Sequence, residues 1–159
     1  MGFADVLIVG GGHGGAQSAL ALRQRGFEGR IAVATREGYL PYERPPLSKD
    51  YLAGARPLEK MFIRPESFWS DRNIEFLLHT PVVAIEPQLR SAELGDGSRM
   101  DYHSLIWSAG GDPRRLSCQG AGLNGVHSIR TVGDVDRIRA QMDGEVKRVA
   151  VIGAGYIGL

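Results

Sequence analysis

Cysteine is nearly absent from this sequence: Cys118 is the single thiol in 159 residues. One thiol excludes an intrachain disulfide framework and a Cys-x-x-Cys redox or zinc pair. No apolar run is long enough to span a bilayer. The first one begins at Asp5-Val6, which leaves no room ahead of it for a secretory leader. An excess of one charge is also lacking. With 19 basic and 18 acidic side chains the formal net charge is +1, which argues against a nucleic-acid binder held by bulk charge. Low-complexity tracts and long linkers are missing too. These absences lead us to expect a cytoplasmic globular protein with no nucleic-acid or membrane partner, long enough for one domain and too short for two full ones.

Glycine, in contrast, is abundant. Its 22 copies are about twice the usual share, and they cluster after apolar runs. That placement favours close approach of the backbone to a ligand over disorder.

Asp5 to Val9 is a short apolar β run that leads into Gly10-Gly11-Gly12-His13-Gly14-Gly15. Ala16, Ala19, Leu20 and Leu22 then fall at helical spacing, with Arg23 and Arg25 near the end and Gly26 as the stop. Arg30 to Ala34 reads as a second buried strand, which completes a βαβ unit. Downstream, Ser48 is expected to cap a short helix over 49–53. Pro65 starts another helix. Strands are expected over 75–79 and 82–85, followed by a hairpin with Gly95-Asp96-Gly97 at its turn. Ser104 to Ala109 reads as a third buried strand, Thr131 to Met142 as a helix with Asp134 and Asp136 in its early turns, and Arg148 to Ile152 as a last strand.

Gly10-x-Gly12-x-x-Gly15 follows a strand, opens a helix and lies inside a βαβ unit, the context a dinucleotide fingerprint requires. The first glycine permits the tight turn, and the second lets the backbone approach a pyrophosphate. The third lets helix and strand pack closely, while the helix N-terminus attracts the phosphate charge. An acid is expected about 20 residues further on for the ribose hydroxyls. Glu37 is the candidate; a solvated loop carboxylate is the alternative. His13 within the loop reads as a spacer rather than a proton carrier. Trp69 and Trp107 read as packing residues.

The pattern recurs at Gly153-x-Gly155-x-x-Gly158, with Tyr156 and Ile157 between the glycines. Two such motifs in one chain suggest two nucleotides, one a bound flavin and one an exchanging nicotinamide.

VLIVGGGHGGAQSALALRQRGFEGRIAV, PYERPPLSKDYLAG, LIWSAGGDPRRL and RVAVIGAGYIGL, in that order, resemble the N-terminal part of the FAD-dependent pyridine nucleotide-disulfide oxidoreductases. Among these the chain is most similar to the ferredoxin reductases that serve Rieske oxygenases and bacterial cytochromes P450. RPPLSK is the most specific of the shared motifs. The cysteine pair of the disulfide-reducing relatives is missing, so dithiol chemistry is excluded.

The resemblance implies an α/β fold: a Rossmann-like FAD-binding domain with a parallel sheet and an antiparallel hairpin insertion, truncated at the start of a second Rossmann-like domain. Residues 1–145 would be the first segment of the FAD domain, and 146–159 the first strand and phosphate loop of an NADH domain. A chain of that extent is expected to be a fragment that does not turn over NADH alone. The implied parent is an enzyme that passes hydride from NADH to FAD and single electrons to a [2Fe–2S] ferredoxin, with NADPH left open as the donor. An NADH oxidase or peroxidase, or a non-catalytic flavin-binding protein like apoptosis-inducing factor, would share the scaffold.

By the same resemblance Gly10 to Gly15 hold the FAD pyrophosphate, and Arg36 and Glu37 face the adenosine ribose. Arg44 lies near the adenine and phosphates, Lys49 lies beside the isoalloxazine as the catalytic cation, and the backbone of Val82 meets the adenine. Ser108, Ala109 and Gly110 lie beside the FAD, Arg130 also contacts it, and Gly153 to Gly158 bind NADH. Arg114 and Arg115 are either a docking pair for an acidic ferredoxin or a solvated loop pair.

Overall fold

Successive side chains along Val6-Leu7-Ile8-Val9 are all buried, which happens when a strand is covered on both faces. In the computed structural model, which describes residues 2–144, 148–153 and 155–158, this run lies in strand β1 (Gly2–Val9). Helix α1 (His13–Gln24) returns the chain to β2 (Ile31–Ala34), parallel to β1. The chain divides into two compact units, Met1–Tyr42 with Phe62–Gly110 and Glu43–Met61 with Gly111–Leu159.

The first unit is built on one six-stranded sheet in the order β3-β2-β1-β6-β5-β4. Its remaining strands are β3 (Ile74–Leu77), β4 (Val82–Glu86), β5 (Ser91–Leu94) and β6 (Arg99–Trp107). The first four strands of that order are parallel and the last three antiparallel, joined at β6. Register brings Val9, Ala34, Leu77 and Trp107 into one row, so the parallel strands end together. From β1 the connections run first to the β2 side and later to the β6 side. The gap between β1 and β6 is therefore the topological switch point, outside which ligands bind in such sheets.

Each face has its own core. Ala16, Ala19 and Leu20 of α1 pack with Val6, Ile8, Ile31, Val33 and Trp69. On the other face Leu7, Val9, Ala32 and Ala34 pack with Ala92, Leu94, Met100 and Tyr102. Trp69, on helix α2 (Glu66–Ser70), is 1% exposed and meets Phe68 and Phe76 edge-on, as a packing residue should. Trp107 differs from expectation, for it is 60% exposed at the end of β6.

The second unit contains 3₁₀ turns at Pro45–Ser48 and Leu58–Lys60 and helix α3 (Val132–Met142). Thr131 caps α3, and Asp134 closes a capping box. The turn at 45–48 packs beside α3, and Leu47, Val132 and Val135 are buried. Tyr51 donates to Asp136 Oδ1 at 2.7 Å, with Arg139 over its ring.

Four expectations are corrected. The helical turn near Ser48 begins at Pro45 and stops at Ser48, because two prolines preset φ there and Lys49 (φ −131°, ψ −112°) leaves helical space. Strand β3 ends at Leu77, because His79 turns to φ +53°. The strand expected from Ser104 starts earlier, at Arg99, and its end at Trp107 is not buried. Residues 148–152 form no ladder; Val149, Val151 and Ile152 are exposed, since a strand needs a neighbour and none among the described residues pairs with them.

Candidate functional site

The loop after β1 is shaped by what its glycines exclude. Gly10 adopts φ +110°, and a Cβ there would lie 2.4 Å from the Ser108 carbonyl oxygen. A Cβ on Gly15 would lie 1.9 Å from the Gly10 oxygen, and one on Gly11 would crowd Thr35 at 2.9 Å. Below about 3 Å something must move, and here the obstacles at Gly10 and Gly15 are backbone. The resemblance sets Ser108 beside the FAD, but the sequence does not show how it anchors the loop. Its hydroxyl donates to Val9 O (2.9 Å) and Gly10 O (3.2 Å), pinning the loop to the end of β6 at the switch point.

Gly12 is the N-cap of α1, with no side-chain cap and no acid in the first turn. The first amides of a helix have no partner within it, and they carry the positive end of its dipole. His13 and Gly14 are exposed, so this end faces solvent. Narrow glycine turn, uncapped amides and absent acid together fit a pyrophosphate.

At the end of β2, Thr35 is buried and its Oγ1 accepts from Glu37 N at 3.2 Å. Tyr42 donates its hydroxyl to the Glu37 carboxylate, and the Glu37 carbonyl accepts from His79 N at 3.1 Å. Glu37 is thereby held in place, while Arg36 is exposed. Tyr42 and His79 were not legible as site residues; a positive φ at a non-glycine is invisible to periodicity. Val82 starts β4 beside a bulge and is half-buried. Ala109 is exposed, and Gly110 takes φ +70°. An open hollow of about 270 Å³ lined by Val82, Val83, Ala84, Ile85 and Trp107 is mostly apolar and has no cationic side chain in its lining. Geometry rather than depth therefore makes the loop the candidate site.

In the second unit, Arg44 Nη1 donates to Arg130 O at 2.5 Å. Lys49 is exposed, and its Nζ donates to Tyr156 O at 2.9 Å and to Ser48 Oγ at 3.4 Å. The second fingerprint repeats the geometry of the first: Gly153 has φ +112°, and a Cβ on Gly158 would lie 2.0 Å from the Gly153 oxygen. Among the described residues nothing lies within 4 Å of where a Cβ on Gly153 or Gly155 would go, and Tyr156 and Ile157 are exposed. Arg114, Arg115 and Cys118 are also exposed, in a stretch without regular structure.

The sequence profile of the pyridine nucleotide-disulphide oxidoreductases matches residues 4–159. The chain belongs to that family. Among family members, a ferredoxin–NAD(P)(+) reductase of Sphingomonas sp is 54% identical over 155 residues, covering 98% of this chain and 37% of that protein. The ferredoxin reductase subunit of a 5,5'-dehydrodivanillate O-demethylase from a Sphingobium strain is 47% identical, again over 98% of this chain and 37% of that one. The chain thus spans little more than a third of the length of these curated relatives. The crystal structure of a ferredoxin reductase for the CYP199A2 system from Rhodopseudomonas palustris superposes with a TM-score of 0.89 at 38% identity, covering 98% of this chain and 38% of that one. The Rossmann-like fold with its antiparallel hairpin is that of the family.

Proposed function

We propose that this chain carries the FAD-binding elements of a reductase that takes electrons from NAD(P)H and gives them to an iron–sulfur protein. The observation that carries the reading is the Gly10–Gly15 cradle, closed to any side chain at the Gly10 and Gly15 positions and pinned by Ser108 at the switch point. The relatives support it by name, two of them being ferredoxin reductases at 54% and 47% identity. When bound, FAD supplies hydride acceptance from the nicotinamide and single-electron release.

This chain's residues would bind and orient. Backbone amides from Gly12 to Gly15 hold the pyrophosphate, with Gly10 shaping the turn, and Glu37, steadied by Tyr42, takes the ribose hydroxyls, with Arg36 beside it. Val82, Ala109 and Gly110 supply backbone contacts. Arg44, Lys49 and Arg130 are proposed as FAD contacts on their own chemistry. Guanidinium groups suit phosphate, and an ammonium stabilises the negative charge of reduced flavin. The loop from Gly153 to Gly158, with Tyr156 and Ile157, is proposed to bind NADH. The finer reading is a [2Fe–2S] ferredoxin of an oxygenase system as acceptor. Among the described residues no helix is long and apolar enough to cross a membrane.

The test uses the natural protein that carries this sequence, loaded with FAD and reduced by NADH in a stopped-flow instrument. Reoxidation that is fast with a [2Fe–2S] ferredoxin and slow with oxygen alone supports the reading. Equal reoxidation by oxygen or peroxide with and without ferredoxin overturns it in favour of an oxidase.

A further inference from the structure

His79 sits in a backbone conformation that side chains disfavour, φ +53°, just past the end of β3. Two backbone bonds hold it there, His79 N to Glu37 O (3.1 Å) and Thr80 N to Thr35 O (2.7 Å), so the turn after β3 is tied to the turn after β2. Gly38 completes the arrangement. A Cβ on it would fall 2.2 Å from Cε1 and 2.3 Å from Nε2 of His79, so the imidazole lies against bare glycine backbone. The residue is nonetheless exposed. An aromatic ring rests on the chain next to the acid at the end of β2 and remains open to solvent.

Three features then follow one another along the row of carboxyl ends: the phosphate loop at β1, Glu37 past β2 and His79 past β3. Adenosine diphosphate has the same order, pyrophosphate, ribose, base. Two strand spacings amount to about 10 Å, within reach of that group when extended. We propose that the His79 imidazole is the face on which the adenine of the bound dinucleotide stacks, making it a residue that positions the base. The inference rests on the dinucleotide reading above and deepens it. Base–aromatic stacking contributes enough that its loss weakens binding about tenfold.

The test is calorimetric titration of the chain with ADP and, separately, with inorganic pyrophosphate, using His79→Gly, His79→Asn and His79→Tyr. Glycine and asparagine both tolerate positive φ, so these two remove the ring without straining the turn. ADP binding about tenfold weaker in both, pyrophosphate binding unchanged, and ADP binding kept in His79→Tyr are expected. The imidazole proton resonances of the unsubstituted chain should also shift when ADP is added. ADP affinity equal in all variants, or pyrophosphate weakening in step with ADP, would overturn the role of His79 and leave the dinucleotide reading standing. An unsubstituted chain that binds neither ligand would overturn both.

Discussion

The carbonyl oxygen of Gly10 lies 1.9 Å from the point a Cβ on Gly15 would occupy, and the same relation holds between Gly153 and Gly158 at 2.0 Å. In both loops the first glycine has φ near +110°. The first loop is also buttressed: Ser108 crowds Gly10, and Thr35 crowds Gly11. Among the described residues nothing lies within 4 Å of where a Cβ on Gly153 or Gly155 would be.

This geometry separates two neighbouring glycines. Gly15→Ala forces a methyl into backbone and is expected to abolish FAD binding and cost about 1–3 kcal/mol by overpacking. At Gly14 a Cβ would meet Ser108 Cβ at 3.5 Å, an ordinary contact. Gly14→Ala should bind FAD nearly as well as the unsubstituted chain. Flavin fluorescence titration and thermal melts of the two variants check this; equal behaviour would contradict it.

Ser108→Ala removes the bonds to Val9 O and Gly10 O. Val9 O keeps the Ser108 amide at 2.8 Å, so no backbone acceptor of β1 is stranded. A loss of about 1 kcal/mol is expected in urea unfolding.

Asp134 Oδ2 accepts from Thr131 N (2.8 Å), Thr131 Oγ1 (2.9 Å) and Arg130 N (3.1 Å). Asp134→Ala should destabilise α3 by about 1 kcal/mol, read as lost amide protection over its first turn. Asp134→Asn keeps an acceptor and should lose less.

Asp96 anchors the turn between β5 and β6. The Ser98 hydroxyl and Ser98 N–H, both donating to its carboxylate, hold its pKa below the usual carboxylate value. A folded pKa below the unfolded one means that the contribution is present above the unfolded value and is lost as pH falls through the folded one. Asp96→Ala should therefore fray the hairpin at neutral pH, and the difference should fade in acid. Amide exchange of Ser98 across pH checks this.

Much of the fold was legible where pattern and local chemistry agree. The βαβ unit followed from apolar runs around a glycine loop, the hairpin from Gly95-Asp96-Gly97, and α3 from Thr131 and Asp134. What escaped depends on partners. Val149 to Ile152 has strand composition but no neighbour among the described residues, and the length of β6 is set by pairing with both β1 and β5. The anchoring by Ser108 rests on bonds between segments far apart in sequence and the placing of His79 on an unusual φ, while the Tyr42–Glu37 bond is local but depends on the path of an irregular loop; none of these leaves a periodic trace.

Titration of FAD with the purified chain, followed by quenching of flavin fluorescence, tests the central claim most directly. Saturable quenching that ADP competes away, and that disappears in Gly15→Ala, is the predicted result. A chain whose circular dichroism shows it folded, yet which leaves FAD fluorescence unchanged at every concentration, would contradict the account.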